Sequence, residues 1–137
     1  MTALTSLRGV RRSVRGSVEG FENDAEDLGW RCIVLDSSEV EDKESFLDLC
    51  ADSFALPEWF GLNWDALEEC LVDLDREGGR GVVVVWTSWS EFADAAPGDF
   101  ATALDVFASS VRTWHAEGQR GGVLLVGDGP DLDLDEL

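Results

Sequence analysis

The sequence predicts an α/β fold in which a small parallel sheet is covered by helices. The clearest strand is 81–87, where four consecutive valines precede Trp86, because continuous β-branching is typical of a strand buried on both faces. A long apolar stripe at helical spacing follows between 99 and 115 and is closed by Gly118. Two more apolar runs, 30–35 and 122–126, alternate with helical patterns. Three parallel strands are therefore expected.

The remaining elements are predicted from local signals. Asp42 or Glu44 opens a helix that ends before Pro57, with an inward face expected for Phe46, Leu49, Cys50 and Phe54. A helical turn is expected over 88–93. The predicted organisation is a flexible basic tail over 1–16, an added amphipathic helix over 17–29, the main domain over 30–126 and a solvated acidic tail over 127–137.

Charge limits the classes of partner. The formal net charge is −19, and the first sixteen residues carry four arginines and no acid. The rest of the chain holds six basic and 29 acidic side chains, a net of −23. Such a body repels nucleic acid and membrane surfaces, and it attracts basic proteins with fast, salt-sensitive association. We therefore expect a basic protein partner, with neither nucleic acid nor membrane bound.

The chain offers little material for catalysis or metal binding. Cys32, Cys50 and Cys70 fall at apolar positions without a C-x-x-C motif, and are expected to be buried, reduced thiols of a cytoplasmic protein. His115 is the single histidine, near the end of a helix where imidazole complements the dipole. No Gly-rich phosphate loop follows a strand. The prediction is a non-enzyme with no cofactor, metal or catalytic residue.

The segment 54–71, FALPEWFGLNWDALEECL, combines an aromatic loop with an acidic helix. Asn63 suits the N-cap of a helix predicted over 64–74, and Asp65 suits its first turn. An apolar arc of that helix contains Trp64, Ala66, Leu67, Cys70, Leu71 and Leu74. The opposite arc contains Asp65, Glu68, Glu69, Val72 and Asp73. Asp65/Glu69 and Glu69/Asp73 are like-charge i,i+4 pairs, which each cost a helix roughly 0.2–0.5 kcal/mol, so the arc indicates a positively charged partner.

This segment resembles the signature block of barstar-like proteins, in which L-P-aromatic-aromatic-G-x-N-x-D-A-L-x-[D/E]-C-L is characteristic. The resemblance reaches back to the strand at 31–36. It continues more loosely through VVVVW (82–86), ALDVF (103–107), AEG (116–118) and VLLV (123–126). It implies a three-stranded parallel sheet covered by helices, with an N-terminal extension in this chain.

The resemblance further implies an intracellular inhibitor of a secreted, guanyl-specific ribonuclease of the barnase type. A monomer would occlude the enzyme's active site in a 1:1 complex, the acidic helix replacing RNA phosphate and the loop aromatics stacking like a base. The expected partner-binding residues are Trp59, Phe60, Gly61, Asn63, Trp64, Asp65, Glu68, Glu69, Val72 and Asp73.

Two departures from the family pattern affect specificity. Glu69 stands where the best-known members have aspartate, and Ser109 stands where they have a further acid. Both indicate a cognate enzyme of a different shape from barnase. A barstar-like immunity or regulatory module that binds another basic toxin or protein is the alternative. Two weaker alternatives are a hydrolase using Asp65 with Glu69 and calcium binding by the D-x-D-x-D tail at 131–135.

Overall fold

The computed structural model describes residues 3–57, 61, 63–74 and 80–137. Its centre is a parallel sheet of four strands in the order β1-β4-β3-β2. The strands are β1 (Arg8–Ser13), β2 (Arg31–Asp36), β3 (Gly81–Thr87) and β4 (Arg120–Val126). The expectation of an α/β fold with a parallel sheet is confirmed, whereas the expectation of three strands is wrong because β1 adds a fourth.

Helices cover both faces of the sheet. A short 3₁₀ helix, Ala3–Ser6, precedes β1. The α-helices are α1 (Val18–Leu28), α2 (Lys43–Ser53), α3 (Trp64–Val72), α4 (Trp89–Ala95) and α5 (Pro97–Ala116). Within the described ranges, no helix has both the length and the apolar character needed to cross a membrane.

Strand β1 lies where a flexible basic tail was expected. Its backbone pairs with β4 in parallel, with Val10 opposite Val123 and Ser13 opposite Val126. The guanidinium of Arg12 lies over the Trp89 ring, 4.9 Å from its centroid, so this side chain packs against the fold. The R-G-V-R-R-S sequence lacks the apolar run that marks the central strands, so the pattern alone did not identify it.

Alternating side chains of the sheet divide the interior into two cores. Val82, Val84 and Trp86 of β3 belong to the larger core, which α2 to α5 cover. Val83 and Val85 face the smaller core on the opposite side. The smaller core is completed by residues from the N-terminal extension and its neighbours: Leu4, Leu7, Phe21, Ala25, Trp30 and Leu124. The extension therefore covers one face of the sheet.

The C-terminal segment folds back along β1, where a solvated tail was expected. Arg12 donates its backbone N–H to the carbonyl oxygen of Asp135 at 3.0 Å, and Leu137 donates to the carbonyl oxygen of Arg12 at 2.9 Å. Leu132 and Leu134 pack against the larger core. Alternation of leucine and aspartate thus separates an inward apolar side from an acidic outer side.

Candidate partner-binding surface

Helix α3 begins at a fixed point because Asn63 caps it. The Asn63 backbone is extended (φ −146°, ψ 161°), and its side-chain oxygen accepts a 2.8 Å hydrogen bond from the backbone N–H of Ala66. The N–H of Asn63 donates to the carbonyl oxygen of Gly61 at 2.6 Å. The cap satisfies an N–H that the first turn leaves without a helical partner. The predicted N-cap is therefore present.

The inner side of α3 anchors it to the larger core. Leu67 and Leu71 are fully buried, while Cys70 and Trp64 are half-buried against the same core. The Trp64 ring lies 5.9 Å from the Phe46 ring, measured between centroids. The helix ends at Val72, two residues before the predicted end, and Asp73 is its C-cap. Leu74 is nonetheless buried just beyond that cap.

The outer side of α3 presents a row of carboxylates. Asp65, Glu69 and Asp73 are exposed at successive i,i+4 positions, and Glu68 is half-buried beside them. None of Asp65, Glu68 and Glu69 forms an ion pair with another residue of the described ranges. Their mutual repulsion is therefore not offset by an ion pair in that part of the chain.

A groove of about 390 Å³ separates the first half of α3 from α5. Its α3 wall is formed by Trp64, Asp65 and Glu68. Its α5 wall presents the polar side chains Thr102, Asp105, Ser109 and Arg112, with Val106 between them. Asp105 and Arg112 were not among the expected site residues. Their i,i+7 spacing through Ser109 marks one polar face of α5, but no local pattern shows which helix that face adjoins.

A second cavity, of about 480 Å³, lies on the other side of the acidic row. Glu69 and Asp73 stand on its α3 side, together with Cys70. The chain before the loop supplies an apolar wall of Leu56 and Pro57, and Arg31 of β2 also lines the cavity. The cavity thus combines two carboxylates, an apolar wall and the chain's own arginine.

The expected site residues divide into three groups. Gly61, Asn63, Asp65, Glu68, Glu69 and Asp73 line or flank the outer side of α3. Trp64 and Val72 are half-buried, and Trp64 contributes to both the core and the groove. Trp59 and Phe60, the two loop aromatics, lie outside the described residues, so their stacking role stays a prediction.

The cysteines and the histidine are partly or fully buried. Cys50 is fully buried, whereas Cys32 and Cys70 are only half-buried, which corrects the expectation that all three are buried. Burial, followed by the charge of Glu22, raises the pKa of the Cys32 thiol to about 11. His115 Nε2 lies 2.9 Å from the carbonyl oxygen of Gly121, to which it donates a hydrogen bond. In the described portions, no three His, Cys, Asp or Glu side chains cluster as metal ligands.

Comparisons with known proteins agree with this architecture. The family model described as Barstar (barnase inhibitor) matches residues 30–126. Among solved structures, the Aeropyrum pernix ORC2 protein in its ADPNP–ADP complexes is similar with a TM-score of 0.51 and 16% identity. That similarity covers 89% of this chain and 35% of the ORC2 chain, so this chain spans about a third of that protein and shares only a fold with it. No curated protein matches the sequence.

The family match includes β2, β3, β4 and the helices between them, while β1 and α1 precede it. The matched residues also include the acidic residues of α3 and the residues of α5 that line the groove. Proteins of this family inhibit a nuclease and are not themselves enzymes. Since the match extends over more than two thirds of the sequence, the chain belongs to the barstar family, whose members are inhibitors rather than enzymes.

Proposed function

We propose that this protein inhibits a secreted, guanyl-specific bacterial ribonuclease by covering the enzyme's active site in a 1:1 complex. It acts in the cytoplasm of the producing cell, before the nuclease is exported. The observation that carries the proposal is the row of Asp65, Glu68 and Glu69 on α3, which forms no ion pair among the described residues. Membership of a family named for barnase inhibition supports the same activity.

The chemistry of an RNA-cleaving site explains why such a row binds it. A ribonuclease holds RNA phosphates with arginine and lysine side chains, and carboxylates form charge-assisted hydrogen bonds with the same groups. Asp65 and Glu69 lie one helical turn apart, which is about 6 Å along the axis. That spacing is comparable to the distance between adjacent phosphates, so carboxylates of α3 replace the phosphates of the substrate.

Rigidity makes the replacement effective. Asn63 fixes the start of α3, and the buried Leu67 and Leu71 fix its rotation about its own axis. The carboxylates are therefore directed outward before the partner arrives, which lowers the entropy lost on binding.

Two substitutions relative to the family pattern define which ribonuclease fits. The carboxylate of Glu69 extends one methylene further than that of aspartate, about 1 Å. Ser109 lines the groove without a charge. A cognate enzyme therefore differs from barnase in the depth of its central cationic site. A different basic toxin, held by the same surface, is the second candidate, and the departures at Glu69 and Ser109 favour it over barnase itself.

Titration against a panel of guanyl-specific bacterial ribonucleases tests the proposal. Cleavage of a fluorogenic RNA is followed at low and moderate salt while the purified protein is added. We expect stoichiometric loss of activity for at least one enzyme, with weaker inhibition at higher salt. Full activity of every enzyme at a molar excess of the protein would contradict the proposal and favour the second candidate.

Matched variants assign the inhibition to α3. Glu69→Gln and Asp65→Asn remove a charge-assisted hydrogen bond, and each is expected to raise the inhibition constant about 10- to 100-fold. Glu26→Gln removes an exposed carboxylate from α1 on the opposite face of the sheet and is the control. The melting temperature of all three should equal or exceed that of the wild type. A large loss of stability in Glu69→Gln would show that this carboxylate is structural.

A further inference from the structure

We infer that Arg112 of α5 takes part in docking, so that the partner which fits has an acidic side chain beside its basic site. The inference rests on the proposed function and narrows it to one charge pattern. Asp105 and Arg112 line the same groove as Asp65 and Glu68, although they come from a different helix. The surface is therefore mixed in charge at one end.

Packing holds the two helices in one arrangement. The indole Nε1 of Trp114 donates a 2.7 Å hydrogen bond to the carbonyl oxygen of Leu71, at the end of α3. Phe107 and Val111 are buried on the inner side of α5. Asp105 is exposed two residues before Phe107, and Arg112 is exposed directly after Val111. The buried side chains therefore fix where these two charged residues lie beside α3. The partner meets both helices as one surface.

The charge of Arg112 is not neutralised within the described chain. Arg112 is exposed and forms no ion pair with the described residues, although Asp105 and Glu68 line the same groove. Helix α5 ends at Ala116, so Arg112 lies before its last turn, and the effect of the helix dipole falls off within that turn. Neither a local ion pair nor the helix end therefore accounts for a cation at this position.

A cation inside an acidic docking surface discriminates between basic partners. A uniformly cationic partner would place a like charge against Arg112, which weakens binding, whereas an aspartate or glutamate there would be attracted. Asp105 extends the acidic region on α5 and suits a basic group of the partner. The fitting partner thus has cationic groups facing Asp65, Glu68 and Asp105, and an acid facing Arg112.

Charge exchange at Arg112 tests the inference in the same inhibition assay. We expect Arg112→Glu to raise the inhibition constant of the cognate ribonuclease about tenfold and Arg112→Gln about threefold. Asp105→Asn is expected to raise it about threefold. The control is Arg15→Glu, which changes the net charge equally. Arg15 is exposed just after the end of β1, whereas Arg112 lies near the end of α5 that leads into the start of β4. Because β1 and β4 are parallel, the two arginines lie towards opposite ends of the sheet.

The acidic residues near the enzyme's basic site are replaced by lysine one at a time, and each enzyme variant is assayed with the Arg112→Glu inhibitor. The replacement that restores inhibition identifies the acidic residue that lies opposite Arg112 in the complex. Inhibition by the wild type together with equal constants for Arg112→Glu and Arg15→Glu would overturn the inference and leave the proposed function standing. If neither the wild type nor Arg112→Glu inhibits any enzyme of the panel, both the proposed function and the inference fail.

Discussion

The indole of Trp114 and the carbonyl oxygen of Leu71 join α5 to the end of α3 through a 2.7 Å hydrogen bond in the buried core. This bond relates the two helices that form the groove, so the relative position of their polar side chains depends on it. Trp114 is itself 1% exposed.

Trp114→Phe keeps the aromatic packing but removes the donor. We expect the free energy of unfolding to fall by about 1–3 kcal/mol, from the lost hydrogen bond and the small cavity left by the smaller ring. Chemical denaturation with urea measures it. Thr113→Val is the neighbouring control, since the Thr113 hydroxyl donates within its own helix, to the carbonyl oxygen of Ser109. Equal stability of Trp114→Phe and Thr113→Val would contradict this assignment.

Leu7 tests whether the N-terminal extension is part of the folded domain. Its side chain is fully buried in the smaller core. Leu7→Ala should therefore lower the free energy of unfolding by about 2–5 kcal/mol. Val14 is 42% exposed, and Val14→Ala is expected to change stability by no more than about 0.5 kcal/mol. Urea unfolding that gives the same midpoint for both variants would show that residues before α1 are dispensable for stability.

Gly121 is required by the close approach of β4 to β3. Its φ is +124°, and a Cβ there would collide with the backbone of Val82. Gly121→Ala should lower the free energy of unfolding by about 3 kcal/mol or more, because the strand must shift and the backbone conformation is unfavourable for alanine. Gly98, in the first turn of α5, has open space where a Cβ would lie. Gly98→Ala should instead stabilise the fold by about 0.5–1 kcal/mol. Thermal unfolding should therefore give a melting temperature below that of the wild type for Gly121→Ala and above it for Gly98→Ala.

The cysteines predict how stability depends on alkaline pH. Burial raises the pKa of Cys32 to about 11 and that of Cys50 well above its ordinary value. The unfolded chain therefore loses thiol protons at a lower pH than the folded chain does. The contribution of the protonated thiols to stability is fully present below the thiol pKa of the unfolded chain, about 8.5. This contribution is lost as pH rises towards 11.

Few other side chains obscure this dependence, since the sequence has no tyrosine and Lys43 is its single lysine. The free energy of unfolding, measured in a reducing buffer from neutral pH to about one unit below the folded pKa of Cys32, should decline in the wild type. It should decline less in a variant with alanine at Cys32, Cys50 and Cys70. An unchanged slope in that variant would assign the dependence to other groups.

Local patterns accounted for the parts of the fold whose signals lie close together in sequence. The four valines of β3 and the cap at Asn63 are examples, because β-branching and an N-cap act within a few residues. The helical period likewise separated Leu67 and Leu71, which are buried, from Asp65 and Glu69, which are exposed. The acidic row of the candidate surface was predictable for that reason.

Long-range pairings were not predictable in the same way. Strand β1 has an arginine-rich sequence and becomes a strand only because β4, more than a hundred residues later, supplies its hydrogen bonds. Leu134 was expected in solvent but packs against the larger core, since the segment after Gly127 runs back along β1. Both segments gain their order from contacts with distant residues.

The sequence by itself determined the α/β class, the central strands and the carboxylates of α3, since each depends on the spacing of neighbouring side chains. Only the tertiary structure decided that β1 belongs to the sheet and that Arg112 shares a groove with Asp65. The physical reason is that helical and strand periods fix which side chains share a face of one element. Which faces then meet is fixed by burial of the two cores, to which the whole chain contributes.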